Sequence, residues 1–231
     1  MLAEINLENE KLVLDVIQDY LDKNRYFNSE KIIPFISSRF AKTDININDD
    51  GIKAVLKSLV KKNLIVERSK LTKDDILINS NRKDIYVHIK KNPGIYFNKI
   101  VNKLGLTIPV VEWHLDILLK FNFIRKEKID NFDAYFEISM DDKNLQLIHL
   151  ISRDKCKEII EFFANNNEGY TKNQVYTELG MHPNTIKKYI DKFYEFDLLY
   201  KKVSRNKNLY FLNEDYYFKL KNRVFKLREE S

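Results

Sequence analysis

The sequence predicts a mainly α-helical chain with small β-hairpins, built from three tandem copies of one pattern plus a C-terminal helix. Two observations carry that prediction. Apolar residues recur at helical spacing along most of the chain, interrupted by short β-rich runs around turn residues. The pattern also repeats. A shift of 75 residues (105 to 180) brings Leu104-Gly105 onto Leu179-Gly180, Gly94 onto Gly169, Val111 onto Ile186, Leu115 onto Ile190 and Leu118 onto Phe193. A shift of 59 (63 to 122) places Ile52, Leu56, Leu59, Asn63 and Leu64 under Val111, Leu115, Leu118, Asn122 and Phe123. Identities are few, and the coincidence of period is what makes these copies.

In the first copy, residues 1–79, Leu12, Val16 and Tyr20 give one apolar face to a helix over Glu10–Leu21. A second helix is expected over Ser29–Phe40, shortened or kinked by Pro34. Asn48 is a suitable N-cap for a third over Asp49–Lys62. Leu64–Arg68 reads as a strand, with Asp75–Leu77 as its return.

In the second copy, residues 80–140, a helix over Arg82–Lys91 ends at the turn signal Asn92-Pro93-Gly94. Helices follow over Phe97–Leu104, stopped by Gly105, and over Ile108–Phe121, capped by Thr107. Phe123–Ile129 and Ala134–Ile138 form a hairpin around Asp130-Asn131-Phe132.

The third copy, residues 141–212, opens with Ser152 capping Arg153–Ala164. Thr171 and Gln174 have capping-box spacing for Lys172–Leu179, which Gly180 ends. Pro183 suits the first turn of Asn184–Phe196. Strands Leu198–Ser204 and Asn208–Leu212 enclose the tip Arg205-Asn206-Lys207. A last helix, Glu214–Arg228 within residues 213–231, lines up Tyr217, Leu220, Val224 and Leu227.

Helix, helix, turn, helix, two-stranded ribbon is a helix-turn-helix with a β-wing, so the fold class is three tandem winged helix-turn-helix domains plus a C-terminal helix. Two stretches carry a resemblance: RKDIYVHIKKNPGIYFNKIVNKLGL…VVEWHL in the second copy and GYTKNQVYTELGMHPNTIKKYI in the third. On them the chain resembles the multi-winged-helix transcriptional regulators of archaea, of the broad ArsR/MarR type. The resemblance covers about 80–212, is weak over 1–79, and implies transcription regulation in the cytoplasm.

In such a fold the second helix of the motif enters the major groove with its N-terminal residues at base edges. The third copy suits that task. His182, Asn184 and Thr185 offer hydrogen bonds to bases or phosphates, and Lys187 and Lys188 follow on the exposed face. Thr171 and Lys172 open the preceding helix, where backbone N–H groups attract phosphate. The wing carries Lys201, Lys202, Arg205 and Lys207, with no acid between Tyr200 and Asn213. In the second copy Pro109, Val110 and Glu112 occupy the groove-facing turn, and wing cations are offset by Glu127, Asp130 and Asp133. In the first copy Asp49 and Asp50 would repel phosphate, which leaves it a docking or dimerisation module or a plain packing element.

Composition agrees. The chain has 40 basic and 34 acidic residues, net +6, and pI about 9.1. Residues 1–79 are neutral (13 against 13); the excess lies in 80–140 (10 against 7) and 141–231 (17 against 14). Nine arginines against 31 lysines fit phosphate-dominated affinity or A·T-rich sites. The single Cys156 excludes an intramolecular disulfide, and no nucleotide-binding glycine motif, metal spacing or nucleophile with its base is present. His114 reads as a packed core histidine. No signal peptide or membrane span is expected. The expectation is a non-enzymatic, cofactor-free, metal-free, soluble intracellular protein whose partner is double-stranded DNA, with a homodimer through the C-terminal helix or the N-terminal domain as an option. Two rivals stand: a scaffold of the kind that tandem winged helices build in ESCRT-II, and an RNA-binding or polymerase-associated winged-helix factor.

Overall fold

Apolar residues at helical spacing become eleven α-helices among the described residues of the computed structural model, which describes residues 7–43, 45, 47–140, 145–166 and 168–229, with side chains as far as 222. These residues fall into two compact units. One comprises residues up to Tyr86 with Leu106–Ile124, and the other Val87–Gly105 with residues from Arg125 onward.

In the first unit, α1 (Leu7–Lys23), α2 (Ser29–Phe40) and α3 (Asp49–Lys61) enclose Val13, Ile17, Phe27, Ile32, Ile36, Ile52 and Leu59, all fully buried. Asn28 and Asn48 cap α2 and α3, accepting from Lys31 N at 2.9 Å and Gly51 N at 2.8 Å. Pro34 sits inside α2 without ending it. The expected strands Leu64–Arg68 and Asp75–Leu77 do not form. Ile65 and Thr72 make one isolated bridge, and Lys73–Ile78 is a 3-10 helix. The cause is local: Arg68 is left-handed (φ 62°) and the chain turns from Val66 to Ser69. Thr72 and Asp75 then close a capping box that starts a helical turn where a strand would return. The first part of α4 (Ser80–Lys91) and α6 (Ile108–Lys120) complete this unit. Thr107 occupies the N-cap of α6, but its hydroxyl makes no cap hydrogen bond.

The second unit holds β1 (Ile95–Tyr96), α5 (Phe97–Leu104), nearly all of β2 (Ile124–Ile129) and β3 (Phe132–Glu137). These strands form a sheet of order β1-β3-β2. Then come α7 (Leu145–Ile151), α8 (Asp154–Asn165), α9 (Lys172–Leu179), α10 (Pro183–Glu195), the ribbon β4 (Leu199–Ser204) and β5 (Lys207–Leu212), and α11 (Glu214–Glu229). Phe136, Leu147, Cys156, Ile159, Phe163, Val175, Ile186, Ile190, Phe193 and Leu198 share one core. Ser152 does not cap α8. Arg153 stands at the N-cap, and Ser152 Oγ donates to the carbonyl of His149 at 2.7 Å. Leu220 of α11 is buried and Tyr217 half-buried; the side chains of Val224 and Leu227 lie outside the described residues.

Two backbone features recur at positions 75 residues apart. Ile95 pairs with Tyr135 as Tyr170 pairs with Tyr210. Gly105 and Gly180 both end helices in the left-handed region, at φ 63° and 61°. Helices α3, α6 and α10 stop identically: Asn63, Asn122 and Asp197 are left-handed (φ 53°, 53° and 56°). The next N–H then returns to the helix, from Leu64 to Leu59, Phe123 to Leu118 and Leu198 to Phe193, at 2.9–3.0 Å. Short polar side chains tolerate this conformation best after glycine. No described helix is long and apolar enough to cross a membrane.

Candidate nucleic-acid interface

The interface expected in the third copy begins at Thr171, whose hydroxyl accepts from Gln174 N at 3.2 Å while Gln174 Oε1 accepts from Thr171 N at 2.9 Å. The box uses the Thr171 side chain internally. Lys172 also turns inward: its ammonium pairs with Asp191 of α10 and lies 5.3 Å from the Tyr210 ring centre. The α9 terminus thus offers its first N–H groups, not the Lys172 charge.

Gly180 turns the chain from α9 into α10, and nothing lies within 4 Å of a side chain placed there. His182 is the N-cap of α10, its Nδ1 accepting from Asn184 N at 3.2 Å, and Pro183 is the first helical residue. Ile186, Ile190 and Phe193 bury one face. That burial leaves His182, Asn184, Lys187 and Lys188 exposed, with Thr185 half-buried between them.

In the ribbon, Ser204 pairs with Lys207 across a turn whose two residues, Arg205 and Asn206, are left-handed (φ 47° and 60°). Such a turn matches the twist of the flanking strands. The rings of Tyr200 and Phe211 stack 5.3 Å apart, and Lys202 Nζ lies 5.5 Å and 5.1 Å from their centres. Lys201 Nζ sits 5.1 Å from Tyr194 of α10. Aromatic faces thereby orient cations without neutralising them. Phe211 itself lies against Gly169, where an added Cβ would stand 2.3 Å from the ring. Among the described residues, no carboxylate lies within ion-pair distance of Lys187, Lys188, Lys201, Lys202, Arg205 or Lys207.

The second and first copies differ. On α6, Ile108, Pro109, Glu112, Trp113 and Asp116 are exposed, an apolar and acidic face. His114 is buried, where desolvation holds its pKa below the ordinary range. In the β2–β3 hairpin, Lys126 and Lys128 pair with Asp133 at 3.3 and 3.6 Å. On α3, Asp49 accepts from Ser37 and Asp50 pairs with Lys53.

A cluster that sequence reasoning missed joins Asp130, Phe132, His149, Arg153 and Lys192. Asp130, at the β2–β3 turn, receives Lys192 of α10 at 3.1 Å and Arg153 at 3.4 Å. The signal available was the 75-residue shift, which sets Asp130 at the turn position that Arg205 holds in the next copy. Cys156 is fully buried with its thiol pushed up to about 12 by desolvation, which keeps it inert. Among the described residues, no three His, Cys, Asp or Glu side chains gather as metal ligands.

Comparison with known proteins bears on part of this chain. A family model described as HTH_HVO_0163_N, N-terminal HTH domain, matches residues 79–148. An uncharacterised HTH-type transcriptional regulator of Methanocaldococcus jannaschii is 27% identical over 144 residues, which are 62% of this chain and 36% of that protein. The chain thus spans about a third of that relative's length. Neither likeness is specific to the ArsR/MarR type. A structure of the ESCRT-II endosomal trafficking complex aligns over 89% of this chain and 90% of its own at 13% identity, with a TM-score of 0.23 that carries no argument.

Proposed function

We propose that this chain is a DNA-binding transcriptional regulator of three tandem winged helix-turn-helix domains (1–79, 80–140 and 141–212) and a C-terminal helix, with the third domain as its main reader. The observation that carries the reading is the exposed edge formed by the start of α10 and the β4–β5 ribbon. Lys187, Lys188, Lys201, Lys202, Arg205 and Lys207 stand there with no carboxylate within ion-pair distance among the described residues. His182, Asn184 and Thr185 open the helix that would enter the groove. The matched HTH domain and the regulator-named relative support DNA as the partner. The acidic first turn of α3 and the apolar, acidic face of α6 suit protein contacts better than phosphate.

The test is a gel shift with random and genomic duplexes at low salt. The intact chain binds; changing Lys187, Lys188, Lys201 and Arg205 together to alanine weakens binding sharply. The slope of log affinity against log salt becomes shallower by about 0.9 for each phosphate that the variant no longer neutralises. Binding that survives the quadruple change refutes this reader. Absence of binding by the intact chain favours a scaffold.

A further inference from the structure

The β2–β3 and β4–β5 hairpins turn at positions 75 residues apart with opposite charge at the tip, and only β4–β5 has a second left-handed turn residue, Asn206. Asp130 (φ 52°) and Arg205 (φ 47°) occupy the same left-handed position. Arg205 is exposed with no carboxylate within ion-pair distance among the described residues, whereas Asp130 is committed. Its two oxygens each receive Lys192 Nζ at 3.1 Å, and Oδ2 receives Arg153 Nη2 at 3.4 Å. The Arg153 guanidinium lies 5.2 Å from the Phe132 ring centre, two residues beyond the tip, and its Nη2 is 3.1 Å from His149 Nε2. His149 Nδ1 in turn donates to the carbonyl of Gly94 at 2.6 Å. Arg153 stands at the start of α8 and Lys192 in the last turn of α10.

From this we infer that Asp130 is a positioning residue for α10, and that the β2–β3 hairpin braces the reading helix instead of acting as a second DNA wing. One carboxylate tying two cations from two helices, with an arginine shared onto a ring, forms a network rather than an isolated surface pair. The bridged side chains are partly withdrawn from water: Arg153 is 15% exposed and Lys192 29%. Bridging removes both cations from the set available to phosphate. It thereby confines contact by α10 to its first half, where Lys187 and Lys188 stand. The functional half of the inference rests on the proposed DNA reading; the brace itself does not.

The experiment uses the full chain and Asp130→Asn. Asparagine accepts the left-handed turn at least as well as aspartate, so the variant removes the charge and keeps the hairpin. In thermal denaturation, Asp130→Asn and Lys192→Met each lower Tm by about 2–4 °C, and the double variant falls no further than the worse single. Additive losses overturn the brace. In duplex binding, Asp130→Asn steepens the salt slope by about 0.9–1.8 as Lys192 and Arg153 become free to meet phosphate, and adding Lys192→Met returns about 0.9 of it. An unchanged slope overturns the claim that the brace limits which cations reach DNA. Should the intact chain bind no DNA, the reading of the reader fails, and the thermal cycle alone still decides the brace.

Discussion

Glu10 shows how far a residue's role can depart from its appearance in the sequence. It looks like one more acid in an N-terminal helix, yet it is 5% exposed, receiving Ser58 Oγ at 2.6 Å and Lys62 Nζ at 2.7 Å. The hydrogen bond and charge of Lys62, then Ser58, hold its carboxyl below the ordinary 4.5. A depressed folded pKa contributes stability above the unfolded value and loses it as pH falls through the folded one. Glu10→Gln therefore costs about 1–2 kcal/mol near neutrality by urea denaturation, half-exposed Lys62 keeping the loss modest, and the gap to the parent closes below about pH 4.5. His149 acts in a higher window. Burial holds it neutral below its ordinary 6.5, so its contribution is complete above that value and is lost as pH falls beneath it. His149→Asn, which keeps a donor for Gly94, should lose less Tm than the parent between pH 7.5 and 5.5. Gly94 is fixed by two demands, φ +79° and a position where a Cβ would lie 2.7 Å from His149 Cα; Gly94→Ala should cost about 2 kcal/mol or more. The turn at Asn92-Pro93-Gly94 was legible in the sequence, but the roles of Glu10, His149 and Asp130 were not. The partners of Asp130 are 23 and 62 residues away and those of Glu10 are 48 and 52, distances over which no local periodicity speaks.

At the scale of elements, periodicity did better. Ser29–Phe40, Phe97–Leu104 and Lys172–Leu179 have the bounds that their apolar spacing and caps imply. Two elements escaped it for definite reasons. β1 is two residues long, too short to alternate, and exists because β3 offers it an edge. α7 is LQLIHLI, with five of seven residues buried, so it has no polar face to reveal its turn. The strands expected over 64–68 and 75–77 failed because β-rich composition was outweighed by a left-handed Arg68 and a capping box. The shared helix stop at Asn63, Asn122 and Asp197 gives a test. Asp197→Gly should leave stability near the parent value. Asp197→Val, which cannot adopt φ 56° without a clash, should lose about 1–2 kcal/mol in chemical denaturation.

For the whole molecule, what sequence conveyed was the uneven distribution of chemistry along it. The neutral first 79 residues and the basic remainder are apparent from counting, but which lysines are available is not. Lys172 and Lys192 are spent on Asp191 and Asp130, while Lys201 and Lys202 are aimed by aromatic rings. Trp113, the chain's single tryptophan, is 57% exposed on α6 and so reports on that face alone. If the third domain is the reader, titration with duplex DNA should leave tryptophan emission at the wavelength of a solvated indole, and Trp113→Ala should leave duplex affinity unchanged. A blue shift or a loss of binding would move the interface onto α6.

The cap at the start of α10 has one further consequence. Because the Nδ1 lone pair of His182 is occupied by the amide of Asn184, the proton of a neutral imidazole must reside on Nε2. The ring therefore presents outward a donor and no acceptor. Facing a major groove it would favour the N7 and O6 edge of guanine, or N7 of adenine, and would be poorly matched to the amino group of cytosine. A helix-terminating contact thus fixes the tautomer of a neutral His182, and with it the hydrogen-bond polarity of the foremost side chain on the helix proposed to read DNA.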